Sequence, residues 1–287
     1  MRLGIVGMLP GDFRTHEPHH FEAIRELGFT GAGFHFSGEL AGEIAPADVE
    51  QGLRLFRDHE IDLVQFAVTY RECLFDPDPE VRRIVGGKIT ATARIAADLS
   101  ARTFLIRPGS LNPAGSWTPY RDNHKAEAWD RLIETLLTIT PALEELGVTA
   151  VMETHLVSIL KDPEIGRRMV ETVGSDSLRL VMDYVNHFET LTQVYSSRQR
   201  LNHIFSETGS LSPVMHIKDM EIGNKLVVHL DETVPGTGEL DLGHCFQCFE
   251  KFFPNEYGLI EHLKPERIPE AARNTREIAL RAGVRIF

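Results

Sequence analysis

The sequence predicts an α/β fold, a single (β/α)8 TIM barrel that spans residues 1–287 as one domain. Segments with helical apolar spacing alternate with short apolar segments, and this alternation predicts parallel strands joined by right-handed crossovers. Eight such units in 287 residues match the size of a closed barrel. The predicted strands begin near residues 3, 30, 61, 103, 148, 178, 213 and 257.

The first half of the chain supplies four strands and four helices. Gly28 ends the first helix as a C-terminal stop, and Pro46 opens the second helix at a position that favours proline. The fourth helix carries apolar residues at helical spacing from Leu132 to Leu143. The four predicted strands are Leu3–Met8, Thr30–Phe36, Ile61–Val68 and Thr103–Ile106.

The second half repeats one design, in which an apolar strand ends in a side chain able to bind a metal. A buried parallel strand should be apolar throughout, so a charged group at its end costs free energy unless it serves a purpose. The strands beginning near 148, 178, 213 and 257 end in Glu153, Asp183, His216 and Glu261. The helices between and after them are predicted at Pro163–Val173, Phe188–Glu207, Leu242–Phe253 and Pro265–Ala282.

These four side chains predict a metal site at the C-terminal ends of strands five to eight. Catalytic groups of such barrels lie at that end, and four neighbouring strands can bring their last residues together. Three carboxylates and one imidazole suit one divalent ion, with Mn²⁺ preferred and Mg²⁺, Co²⁺ or Zn²⁺ also acceptable. In the alternative interpretation each acid only caps the helix that follows it. One acid could be such a cap, but the same arrangement on four successive strands favours a shared metal.

Composition and charge exclude several classes of protein. The chain is 42% hydrophobic and 25% charged, as in ordinary globular proteins, and its net charge of −12 disfavours nucleic acid as a partner. No segment approaches the roughly 18 apolar residues that would span a bilayer, and the N-terminus does not read as a signal peptide. Three cysteines make no disulfide framework. We therefore expect a cytoplasmic protein without a membrane partner.

Two further pairs of residues are interpreted as structural. His16 and His20 are predicted to lie on a helix surface, because no acid accompanies them at a spacing suited to a metal. Cys245 and Cys248 form a lone C-x-x-C pair, which indicates buried helix cysteines in place of a zinc or redox site.

The series of metal-binding residues resembles that of the xylose-isomerase-like barrels, the sugar phosphate isomerase/epimerase superfamily. The resemblance covers the whole chain and is strongest from 147 to 262. It is carried by the segments Met152–His155, Met182–Asn186, His216–Asp219 and Pro235–Asp241.

This resemblance implies an activity and roles for the residues. The metal would hold a hydroxyl and a carbonyl oxygen of a sugar and stabilise the developing enediolate. Glu153 and Glu261 would be both ligands and the acid/base pair that removes and returns a proton. The predicted substrate-binding residues are His35, Arg107, Trp117, His155, Asn186 and Lys218.

The sequence departs from ketohexose 3-epimerases at two positions. These enzymes usually carry an arginine six residues after the strand-seven histidine, where this chain has Ile222. They also tend to have histidine three residues after the strand-six aspartate, where this chain has Asn186. The expected substrate is therefore a sugar or sugar-derived ketone of another kind.

Other functions on the same scaffold remain open. A lyase, of the inosose dehydratase type or a deglycosidase of 3-oxo-C-glycosides, would share the first proton abstraction and then expel a leaving group. An endonuclease IV-like nuclease needs three zinc ions and a basic groove, which the charge of −12 disfavours. An intact set of ligands argues against a purely binding role. Both a homo-oligomer and a hetero-oligomer are compatible with the sequence.

Overall fold

The computed structural model describes residues 1–287 and confirms a single closed barrel of eight parallel strands. The strands follow one another around the ring in chain order, and the last strand pairs with the first through Arg2 and Tyr257. The barrel strands are β1 (Arg2–Val6), β2 (Gly31–Ser37), β3 (Asp62–Thr69), β4 (Thr103–Ile106), β5 (Ala150–Met152), β6 (Leu178–Met182), β7 (Val214–Ile217) and β10 (Tyr257–Ile260).

The helices surround the barrel. Proline occupies the first turn of α1, α2, α3 and α5, where its missing N–H is not needed. Gly147 and Gly174 end α4 and α5 in the left-handed conformation that glycine adopts without strain. The helices are α1 (Pro18–Glu26), α2 (Pro46–Asp58), α3 (Pro79–Asp98), α4 (Ala126–Leu146), α5 (Pro163–Val173), α6 (Leu191–Tyr195), α7 (Ser197–Thr208), α8 (Leu242–Phe252) and α9 (Ile268–Arg281). None of them has the length and apolar character needed to cross a bilayer.

Two apolar clusters hold the strands and helices together. The larger one contains 66 buried residues, mostly between the helices and the outside of the barrel. A cluster of nine fills the barrel interior with mostly small and branched side chains and one tyrosine, Tyr257. Gly31 makes room for this filling, since a Cβ there would lie 2.5 Å from the Tyr257 ring. The barrel interior is therefore mostly apolar, and the buried side chains of Gln65 in β3 and His216 in β7 are polar exceptions within its strands.

The predicted helix Phe188–Glu207 is wrong in its extent. Residues Tyr184–His187 form a 3₁₀ turn, and Phe188 is extended. The helical part is divided into α6 and α7, because the backbone of Ser196 leaves the helical region with φ −110° and ψ 39°. The hydroxyl of Thr190 caps α6 by accepting a hydrogen bond from the Gln193 amide at 3.2 Å. Two short helical segments, the turn Tyr184–His187 and α6, therefore separate β6 from α7.

The connection between β7 and α8 contains an antiparallel hairpin that the sequence did not predict. Its strands are β8 (Asp219–Ile222) and β9 (Leu230–Thr233). The buried carboxylate of Asp219 accepts hydrogen bonds from the backbone amides of Gly236, Gly238 and Leu240 at 2.9, 2.9 and 3.2 Å. A Cβ on Gly238 would collide with the Met220 carbonyl, so this close approach requires glycine. Asp219 therefore fastens the base of the hairpin to the loop that follows it.

Replacing Asp219 by alanine should lower the free energy of unfolding by about 2–4 kcal/mol, because several amides would lose their buried acceptor. Urea denaturation followed by circular dichroism measures this loss. Asp231→Ala on the exposed face of β9 is the matched control and should change stability little. An equal, small effect of both substitutions would show that Asp219 does not hold the hairpin.

The predicted surface position of His16 is wrong. α1 begins only at Pro18, so His16 lies in the preceding turn with 2% of its surface exposed. A ring nitrogen lies 2.9 Å from the Pro10 carbonyl, and the ring packs edge-on against Phe34. Burial lowers the pKa of His16, and the neutral ring belongs to the core. His20 lies on α1 and is partly exposed, and its ring centre is 4.0 Å from that of the exposed His19.

The two cysteines of α8 are free thiols. Cys245 is fully buried, as predicted, whereas Cys248 is only partly buried. Burial raises the pKa of both thiols, and neither is arranged with a second cysteine pair. The prediction that they form no zinc or redox site stays a prediction.

Candidate metal and active site

The four residues predicted as metal ligands lie together at the C-terminal end of the barrel. Glu153 and Asp183 directly follow β5 and β6, His216 lies in β7, and Glu261 directly follows β10. Glu153, Asp183 and His216 can each offer a ligand atom, and these three atoms lie within 4.8 Å of one another. Oε1 of Glu261 lies 3.0 Å from Nδ1 of His216. Consecutive places in the ring explain why residues far apart in the chain converge.

The chemistry of this group fits a divalent cation. Asp183, His216 and Glu261 are buried, and oxygen Oδ1 of Asp183 has no hydrogen-bond partner although it is inaccessible to solvent. A buried carboxylate oxygen without a partner is costly, and coordination to a cation would satisfy it. Carboxylate oxygens with one imidazole nitrogen form a donor set for ions of hard to intermediate character.

Lys218 lies among these acids. Its Nζ is 2.7 Å from Oδ2 of Asp183, 2.8 Å from Oε1 of Glu261 and 3.2 Å from Oε1 of Glu232. The sequence predicted Lys218 as a substrate-binding residue, and the structure places its ammonium group on the predicted metal ligands. Glu232 comes from β9, so the hairpin supplies an acid that sequence reasoning missed.

The pKa values of the group reflect burial and mutual attraction. Burial alone would lower the pKa of His216, but Glu261 and Asp183 outweigh it and raise the pKa to about 10. Burial also opposes the charge of Lys218, yet the same two carboxylates hold its pKa well above the usual value. Burial, with the negative charge of Asp183, raises the pKa of Glu153 to about 7. Glu153 is thus the acid whose charge the nearby cations compensate least.

A chain of hydrogen bonds holds Glu153. Nδ2 of Asn186 donates to Oε1 of Glu153 at 3.0 Å and lies 3.2 Å from the Thr154 carbonyl. The Thr154 hydroxyl lies 2.7 Å from Nε2 of His187, and burial lowers the pKa of that histidine to about 3. A neutral His187 therefore supports the segment that carries Glu153. Asn186 was predicted to bind substrate, and its amide donates a hydrogen bond to the Glu153 carboxylate.

His155 and Trp117 form one side of the barrel mouth. Their ring centres lie 5.5 Å apart, and Trp117 keeps 38% of its surface exposed. The long connection between β4 and α4 is fastened by the buried side chain of Asn123, whose Nδ2 donates to Oγ of Ser110 at 3.0 Å. The connection that carries Trp117 is therefore held in place, and His155 lies two residues after Glu153 at the end of β5.

Of the other predicted substrate-binding residues, Arg107 directly follows β4 and His35 lies in β2. The guanidinium of Arg107 donates to the Tyr70 carbonyl and lies 5.2 Å from the centre of the Tyr70 ring. His35 extends from β2 and remains accessible, although surrounding protein lowers its pKa by desolvation. The charge of Glu261 partly opposes this effect on the pKa of His35.

Gln65 is a member of the site that sequence reasoning missed. It lies in β3 with 0% of its surface exposed, and its Oε1 is 2.8 Å from Nε2 of His216. The signal was present, because a primary amide interrupts an otherwise apolar strand from Leu63 to Val68. The partner was not readable, since the two residues are separated by 151 positions.

The chain matches the model of one protein family, and many solved structures have a similar fold. The profile of the family described as xylose isomerase-like TIM barrel matches residues 21–278. No curated protein matches the sequence significantly.

Three solved structures illustrate the likeness. D-psicose 3-epimerase from Clostridium cellulolyticum H10, solved with D-tagatose, has a TM-score of 0.73 at 12% identity, with 99% of this chain and 100% of that chain covered. The 3-keto-D-glucoside 4-epimerase YcjR from E. coli has a TM-score of 0.70 at 14% identity, with 99% of each chain covered. A xylose isomerase-like TIM barrel protein from Mycobacterium smegmatis, in complex with magnesium, has a TM-score of 0.71 at 14% identity and covers 98% of this chain and 96% of that chain. At such identities the likeness concerns the fold.

Proposed function

The chain belongs to the xylose isomerase-like TIM barrel family, and on that premise we propose that it is a metal-dependent isomerase or epimerase of a sugar or sugar-derived ketone. The observation that carries this proposal is the convergence of Glu153, Asp183 and His216 within 4.8 Å, with Glu261 beside them. The similar folds of two ketosugar epimerases support the class of substrate.

The proposed ligands are Glu153, Asp183, His216 and Glu261, and the proposed ion is Mn²⁺. The magnesium complex of the mycobacterial protein supports an ion with a preference for oxygen. Such an ion, when bound, supplies a Lewis acid that stabilises negative charge on the oxygens of the substrate.

The chain's own residues would move the proton. Burial and the charge of Asp183 raise the pKa of Glu153 to about 7 without the ion, and its carboxylate would accept a proton from carbon and return it. Asn186 fixes the carboxylate by donating a hydrogen bond to its Oε1. Glu261 is held by His216 and Lys218 and would serve as the second member of the acid/base pair. Two glutamates suit epimerisation, because removal and return of the proton can then occur on opposite faces.

The residues at the mouth would bind the substrate. His155 and Trp117 offer an aromatic surface for the apolar face of a sugar ring, and His35 in β2 and Arg107 after β4 offer donors. In the same proposal, Lys218 stays protonated and favours the negative charge that develops after proton abstraction, because its pKa is held well above the usual value.

Exchange of hydrogen with solvent tests this function. The Mn²⁺-loaded protein is incubated in D₂O with ketoses, aldoses, inososes and 3-keto-glycosides, and products are followed by NMR. Deuterium beside the carbonyl of a rearranged sugar would support the proposal. Release of water or of an aglycone would show that the protein is a lyase, which shares the first proton abstraction and then expels a leaving group. No exchange with any compound, despite a bound ion, would contradict both.

Binding of Mn²⁺ should release protons near pH 7 and should weaken as the pH falls from 8 to 6. His216 and Glu153 have pKa values of about 10 and about 7 without the ion, and each must lose its proton to become a ligand. Titration calorimetry in two buffers of different ionisation enthalpy counts the protons. The same dissociation constant at both pH values, with no effect of the buffer, would contradict this ligand set.

A further inference from the structure

The contact between Gln65 and His216 crosses the inside of the barrel. Their strands, β3 and β7, lie four places apart in either direction around the ring of eight. Gln65 is fully buried within an otherwise apolar strand, and burial of an amide is costly unless it is hydrogen-bonded. Its Oε1 nevertheless reaches Nε2 of His216 at 2.8 Å.

This contact decides which nitrogen of His216 carries a proton. An amide oxygen only accepts hydrogen bonds, so Nε2 must be the protonated nitrogen. Nδ1, which lies 3.0 Å from Oε1 of Glu261 and 3.3 Å from Oδ2 of Asp183, is then the nitrogen that offers a lone pair once its proton is lost on binding of the ion. The opposite orientation of the amide would place a donor on Nε2 and force the proton onto Nδ1.

We infer that Gln65 is a positioning residue, which fixes the ring and tautomer of His216 so that Nδ1 faces the cation. The inference rests on the proposed function, because it requires His216 to be a ligand. Hydrogen bonding of the second imidazole nitrogen is a general means of orienting a metal-bound histidine. Here the partner is an amide from the opposite strand.

A role in stability alone explains the amide less well. Nε2 of Gln65 is buried and has no hydrogen-bond partner, so half of the amide is left unsatisfied. An apolar side chain of similar length would fill the same space without that cost. Loss of the Gln65 amide should therefore weaken binding of the ion while the protein remains folded.

The test uses Mn²⁺ and three variants. Gln65→Met keeps the length of the side chain and removes the acceptor, so Mn²⁺ affinity should fall about 10–100-fold in titration calorimetry. Gln65→Glu keeps an acceptor and should retain most of the affinity. Thr103→Val is the control, because it removes a buried hydrogen bond to the Val64 carbonyl on the same side of the barrel without touching His216. Its affinity should equal that of the unchanged protein.

A second measurement needs no variant. In the Zn²⁺-loaded protein with ¹⁵N-labelled histidine, NMR should show His216 protonated at Nε2, with a slowly exchanging proton. A proton on Nδ1 would overturn the inference, and so would Gln65→Met binding Mn²⁺ as tightly as the unchanged protein. Failure of the unchanged protein to bind any divalent ion is a separate result, since it would remove the proposed metal function and this inference with it.

Discussion

Glu153→Gln should leave a folded protein that still binds Mn²⁺, more weakly, but has lost turnover by about 10²–10⁴-fold. The amide retains an oxygen that can contact an ion, but it cannot accept a proton from carbon at neutral pH. The hydrogen bond from Asn186 to Oε1 of Glu153 can persist, so the position of the side chain should change little. Deuterium exchange with the active substrate measures the lost step directly, independently of product release.

The exposed Glu145 in α4 offers a control of the same chemistry. Glu145→Gln removes one negative charge from the surface and should keep full activity. If Glu153→Gln also keeps full activity, Glu153 is not the base. If its metal binding is lost altogether, the effect on turnover cannot be assigned to proton transfer, and Glu153 is above all a ligand.

Lys218→Met should destabilise the metal-free protein by about 3 kcal/mol, because it removes the buried cation that Asp183 and Glu261 share. Mn²⁺ should restore much of this loss, since a divalent ion can compensate the same carboxylates. Urea unfolding at pH 8, with EDTA and then with Mn²⁺, gives the two free energies of unfolding.

Lys225→Met is the matched control, because Lys225 is exposed at the end of the hairpin. It should change stability little with EDTA or with Mn²⁺. Equal destabilisation by Lys218→Met in both conditions would show that the ammonium group and the ion do not act on the same acids. Lys218 would then be a structural cation without influence on metal binding.

The barrel and the convergence of its acids could be predicted because both follow from local pattern. Each strand is an apolar segment of suitable length, and Glu153, Asp183 and Glu261 directly follow theirs. Neighbouring places in the chain become neighbouring places in the ring, so no long-range information was needed. The family resemblance added the roles of these residues, which remain proposals.

The hairpin and the tertiary partners were beyond the reach of local pattern. Strand β9 has the sequence Leu-Asp-Glu-Thr, without the alternation of a half-buried strand, and it is held by Asp219 at its base. The break between α6 and α7 at Ser196 could not be predicted, because no proline or glycine marks it in the sequence. Gln65 could have been noticed as a polar residue in an apolar strand, but its pairing with His216 depends on the closed ring.

The hairpin also shapes how this chain can vary. Its base is fixed by Asp219, and β9 brings Glu232 to Lys218. The tip from 223 to 229 is largely exposed. Insertions and deletions at the tip can therefore accumulate in descendants of this sequence without moving the acid. The same separation makes the tip a natural place to attach a label or a tether, because the attachment would be distant from the fixed base and would leave the chemistry of the barrel mouth unchanged.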